Sequence, residues 1–210
     1  MVPRGTARSS LLASTLDLIA AHGVNAVGVD AIADRAGTTK RTLYQHFPGK
    51  DALVAEALAA NSETWHHRVS AAVTARADDP AGQLLALFDL IGEDAARPHY
   101  RGCVFVNAAA DLPDPAHPAR PVASLHKRRL LDFLTERTRL IGVRDPERLA
   151  RQLKILLEGV VATALVDPDP QPGRDARAAA ETLISSAQKN LTEQVSSAQK
   201  SLTEQEKGTA

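Results

Sequence analysis

Cysteine is nearly missing from this chain: Cys103 stands alone among 210 residues. No disulfide can close within the chain, which fits a reducing cytoplasm. No stretch of about 18 apolar residues occurs, so no membrane-spanning helix is expected. Met1–Ser10 lacks the apolar core of a secretory signal. Aromatic residues number seven, so most of them are needed as plain core. Strand-like alternation of apolar and polar residues is absent over any useful length, which excludes a sheet and leaves an all-α fold. Net charge is zero as well, so the chain as a whole is no polycation built for nucleic acid.

The distribution of charge says more. Residues 1–50 carry six basic side chains (Arg4, Arg8, Arg35, Lys40, Arg41, Lys50) against Asp17, Asp30 and Asp34. The remainder carries 19 basic against 22 acidic side chains. A basic head on a slightly acidic body suits a molecule that meets phosphate at one end only.

Apolar spacing is helical nearly throughout. Leu12, Leu16 and Ile19 form one stripe, closed by Gly23 at a C-terminal cap position. Val29, Ile32, Ala33 and Ala36 form a second stripe that ends at Gly37. Thr38 or Thr39 can cap a third helix running to about Phe47, which Pro48-Gly49 breaks. A fourth helix is expected from Lys50 to about Ala72, and others over 83–92, 120–141, 146–167 and from Arg174 onward. Asp145-Pro146 reads as a cap followed by proline at the first helical position. The tail repeats itself: SSAQKNLTEQV at 185–195 and SSAQKSLTEQE at 196–206. An 11-residue period is 3.67 residues per turn. Leu191, Val195, Ala198 and Leu202 would then share a stripe that extends the last helix and pairs in a dimer; the alternative is a polar extension with no role.

Two short helices around Gly37 make a helix-turn-helix. Leu43 and Phe47, four residues apart, would face inward, leaving Arg41, Thr42, Tyr44 and Gln45 outside with Lys40 at the start. Arginine bonds bidentately to guanine and glutamine to adenine in the major groove. Lysine, threonine, tyrosine and histidine suit phosphate oxygens.

The segment TTKRTLYQHFPGKDAL (Thr38–Leu53) resembles the TetR family of bacterial regulators, as do Ala20–Gly23 and VDAIADRAG (Val29–Gly37). The resemblance spans about Ser10 to Leu58. RGCVFVNAAADLPDPAHPAR (Arg101–Arg120) is similar to the C-terminal domain of one subgroup. It implies a three-helix DNA-binding domain over 1–50, a helical ligand-binding and dimerisation domain over 51–185, and a polar repeated tail over 186–210. It also implies a homodimeric repressor, released from a palindromic operator in double-stranded DNA by a small-molecule effector.

Carried over residue by residue, Lys40 and Arg41 correspond to base-reading positions. Thr39, Thr42, Tyr44 and His46 would meet the DNA backbone, Gln45 would face the groove, and Lys50 would clamp a phosphate. Lys40→Ala and Arg41→Ala are both expected to lose sequence preference. Val27 and Gly28 stand where the family has Thr and Ser, so a hydroxyl that would cap the second helix is missing. Arg41 stands where the family often has Gly, which alters the bases read.

Candidate effector-lining residues are Trp65, Phe88, Tyr100, Cys103, Phe105 and Asn107. Leu149, Leu153, Leu156 and Val160 are the candidate dimer seam, with Gly159, Ala162 and Ala164 allowing close approach. The alternative function is an all-α metabolite-binding protein or enzyme using Asp111, Asp114 and His117, or Cys103 with His99. No nucleophile–base pair follows from their spacing, and no ligand spacing for a metal, so neither catalysis nor a cofactor is expected.

Overall fold

The computed structural model describes residues 4–167 and 169–207, with side chains described for 7–167 and 169–189. Among the described residues every regular element is an α-helix: α1 (Arg4–His22), α2 (Val29–Arg35), α3 (Lys40–His46), α4 (Lys50–Arg76), α5 (Pro80–Ala95), α6 (Val104–Asp111), α7 (Ala119–Ile141), α8 (Pro146–Val166) and α9 (Gln171–Lys207). The caps explain several boundaries. Asp79 accepts from the Gly82 N–H at 2.9 Å and starts α5 with Pro80 at its first position. Asp145 does the same for α8, accepting from the Arg148 N–H at 3.0 Å. No helix among the described residues is long and apolar enough to cross a membrane.

Two compact units result. One takes in the chain up to Ser70 and returns for His99–Arg129; the other holds Ala71–Pro98 and everything from Leu130. In the first, Leu11, Ile32, Leu43 and Phe47 share a core with Leu53 and Leu58 of α4 and with Phe105, Ala108 and Leu112. That core therefore runs on past residue 50. In the second, α5, α8 and α9 pack on one another. Leu84, Leu87, Leu153 and Ile184 are all but fully buried there.

Several boundaries differ from those expected, among them both ends of α5, which runs from Pro80 to Ala95. Helix α4 continues to Arg76, and α9 starts three residues early. The eight residues of α6 carried no helical expectation, because Val-Phe-Val favours strand and two turns are too short to show a period. The repeated tail is helical to Lys207, although the side chains of Leu191, Val195, Ala198 and Leu202 lie outside those described.

Candidate nucleic-acid interface

The turn between α2 and α3 is built by backbone hydrogen bonds. Gly37 sits at φ +64°, Thr38 N–H donates to Ala33 O at 2.9 Å, and Gly37 N–H donates to Asp34 O at 3.1 Å. These paired bonds close α2 and turn the chain into α3. Thr39 caps α3 by accepting from the Thr42 N–H at 3.1 Å, and its hydroxyl meets that of Thr42 at 3.0 Å. Gly28 occupies the cap of α2 with no side chain to contribute, as its identity requires. Leu43 and Phe47 anchor α3 inward at 0% and 1% exposure.

The outer face of α3 presents Arg41, Tyr44 and Gln45, all exposed. Lys40 is exposed too, but its ammonium pairs with Asp30 of α2 at 3.1 Å. His46 is half-buried, its ring 6.3 Å from that of Phe47. Lys50, expected to clamp a phosphate, donates to the Val24 carbonyl at 2.7 Å. It ties the start of α4 to the turn after α1, with two of its N–H donors left over.

The same turn is gripped from α6. The Val24 N–H donates to Asp111 Oδ2 at 2.7 Å, and the Asn25 amide donates to Asp111 O at 2.8 Å. Gly23 is at φ +83°, and a Cβ placed there would lie 2.7 Å from Asp111 Oδ2, so glycine avoids both backbone strain and displacement of that carboxylate. By sequence Asp111 is a ligand or catalytic candidate. Its carboxylate is a fastener for the DNA-binding head.

The expected effector-lining residues are not one group. Trp65 and Phe105 come together around His126, which is 3% exposed. The imidazole stacks on Phe105 at 3.7 Å between centroids, meets Trp65 edge-on at 5.0 Å, and has Ser62 Oγ 3.0 Å from Nδ1. Burial, then the neighbouring His66, pushes the His126 pKa down to about 3. Burial lowers that of His66 as well. His66 Nε2 is buried with no hydrogen-bond partner among the described residues. Cys103 is half-buried just before α6, and Tyr100 is half-buried in the preceding loop. The Asn107 amide is engaged with Arg101 O at 2.7 Å. Phe88 belongs to the second unit, where it is 1% exposed. His126 was missed, though Val122 and Leu130, four residues to either side, put it on the inward face of α7.

The expected dimer seam lies mostly within the core of the second unit. Leu149, Leu153 and Val160 are core of the second unit at 4%, 0% and 3% exposure, and Leu156 is half-buried. Ala164 is fully buried with them. The apolar side chains that α8 leaves outside are Ile155 (69% exposed), Leu165 and Val166 (85%). Ile155, Gly159, Ala162 and Val166 are all exposed and recur every three to four residues, forming one stripe.

Three residues of the enzymatic alternative, Asp111, Asp114 and His117, are engaged in holding local structure. His117 faces Asp51 at 3.3 Å through Nε2 and accepts from the Ala119 N–H at 3.1 Å through Nδ1. Asp114 accepts from the Ala116 N–H at 2.8 Å.

A capped two-helix motif with a polar, exposed second helix on a helical body defines a helix-turn-helix regulator. Residues 11–57 match the family model for bacterial regulatory proteins of the tetR family. The chain is 31% identical to a TetR-family transcriptional regulator from Streptomyces coelicolor of known structure, with a TM-score of 0.78 over 88% of this chain and 97% of that one. It is 27% identical to the HTH-type transcriptional regulator YjdC of Escherichia coli (strain K12), over 86% of this chain and 95% of that relative. Over 49 residues, 23% of this chain and 22% of the other, it is 45% identical to the HTH-type transcriptional activator FasR of Mycolicibacterium smegmatis. This chain belongs to the TetR family and is a DNA-binding transcriptional regulator.

Proposed function

We propose that the chain is a homodimeric repressor that binds a palindromic operator and is released by a small-molecule effector. The observation that carries this reading is the joining of head and effector region in one compact unit. Asp111 ends the same short helix that Cys103 and Phe105 begin, and it holds the turn between α1 and α2. A ligand that moves α6 would therefore move the head, favouring a state whose recognition helices no longer match the groove. Trp65, Phe105 and His126 pack on one another with the buried Nε2 of His66 beside them, so an effector that parts them would meet aromatic surface and one polar atom. One short recognition helix reaches few base pairs, so a two-fold dimer is needed for useful specificity. The exposed stripe from Ile155 to Val166 offers an apolar face for such a dimer.

The test is selection of bound fragments from sheared genomic DNA, followed by a reporter placed behind the recovered site. Enrichment of one palindrome, with reporter output rising when the regulator is deleted, supports a repressor. Falling output would make it an activator, and no enrichment in the absence of small molecules would overturn the operator reading.

A further inference from the structure

Among the described side chains of the head, the cations are with one exception paired within the fold. Arg8 pairs with Glu56 and lies over the Phe47 ring. Arg35 pairs with Asp17 at 3.0 Å, Lys40 with Asp30 at 3.1 Å, and Lys50 holds the Val24 carbonyl. Arg41 is the exception. It is exposed, and among the described residues it has no hydrogen-bond, ion-pair or ring partner. Gln45, one turn further along the same face, is also exposed and without a partner among the described residues.

We propose that Arg41 and Gln45 are the base-reading pair of this regulator, Arg41 taking a guanine and Gln45 an adenine within a few base pairs in each half-site. This rests on the operator reading above and adds the base identities and the division of labour. Arg41 is the second residue of α3, in the first turn, where a docked recognition helix meets base edges. Its fork matches guanine O6 and N7 and has no internal pair to break first. Gln45 is four residues on, about 6 Å along the helix. Its amide offers the donor and acceptor that adenine N7 and N6 require. Lys40 stands differently. To reach a base it must leave Asp30, whose exposed carboxylate would then stand beside the phosphates without its counter-charge. Lys40 therefore contributes charge near the backbone and does not select bases.

The experiment repeats operator selection from a random pool with the full chain and with Arg41→Ala, Arg41→Lys, Gln45→Ala and Lys40→Ala. All three sites are exposed, so folding is expected to survive, and circular dichroism checks it. The wild type should enrich a palindrome with one invariant guanine and a nearby adenine per half-site. Arg41→Ala should lose the guanine preference alone, by roughly 5- to 150-fold per half-site. Arg41→Lys should keep binding to unrelated DNA while losing the same preference, because it retains charge without the fork. Gln45→Ala should relax only the adenine. Lys40→Ala should weaken binding to all sequences alike and leave the enriched palindrome unchanged. A wild-type palindrome whose guanine survives Arg41→Ala, or is lost in Lys40→Ala, overturns the assignment and leaves the operator reading standing. Failure of the wild type to enrich any sequence overturns both.

Discussion

His126 makes the first unit sensitive to acid, and the size of the effect follows from its burial. In the unfolded chain a histidine takes up a proton near pH 6.5, whereas in the fold burial holds off protonation until about pH 3. Above pH 6.5 both states are neutral and the group contributes nothing to the pH dependence. Below it the unfolded chain binds a proton that the native state refuses, so stability falls as pH falls. Each pH unit costs about 1.4 kcal/mol, giving about 2 kcal/mol by pH 5 and approaching 5 kcal/mol near pH 3.

Trp65 is the chain's only tryptophan and lies 5.0 Å from His126, so its fluorescence reports on the right unit. The perturbation is His126→Phe, which keeps a ring against Phe105 and cannot take a proton. It leaves the Ser62 hydroxyl without its partner, which costs about 1–2 kcal/mol at every pH. Carboxylates titrate alike in both proteins and cancel in the comparison. Urea unfolding at pH 7 should show the variant less stable than the wild type. At pH 5 the difference should have moved in favour of the variant by about 2 kcal/mol. Parallel pH profiles for the two proteins would refute the reasoning, because His126 would then be no harder to protonate in the fold than in the open chain.

Three further outcomes follow from contacts described above. Gly23→Ala should destabilise the first unit by about 1–3 kcal/mol, as seen by Trp65 fluorescence in urea. It forces a side chain into a left-handed conformation and against Asp111; an unchanged midpoint would show that the turn can relax. Asp30→Asn should free Lys40, steepening the dependence of DNA affinity on salt by about one unit with no change in base preference. An unaltered slope would mean that Lys40 meets no phosphate. Ile155→Asp should convert dimer to monomer in sedimentation equilibrium with helical content intact, because the side chain is 69% exposed in the single chain. A dimer that persists would place the seam elsewhere.

Much of this regulator was legible in its sequence. Helical spacing without strand alternation leads to an all-α fold. Gly37, Thr39 and Pro48-Gly49 punctuate the helix-turn-helix because backbone caps are local and depend on neighbouring residues alone. Leu43 points inward from α3, and Phe47 does so from the extended cap just past its end. What tertiary structure decided is which polar groups are already taken. Nothing in the spacing of Asp30 and Lys40, ten residues apart across a turn, announces an ion pair. Nor does the chain reveal that Lys50 would hold the Val24 carbonyl, or that Asp111, 87 residues away, would hold the Val24 N–H. The apolar stripe of α8 was readable as a stripe. Its division into a core face at Leu149, Leu153 and Val160 and an open face at Ile155 and Val166 was not, because a helical period gives the angle between faces and only packing assigns each face its neighbour.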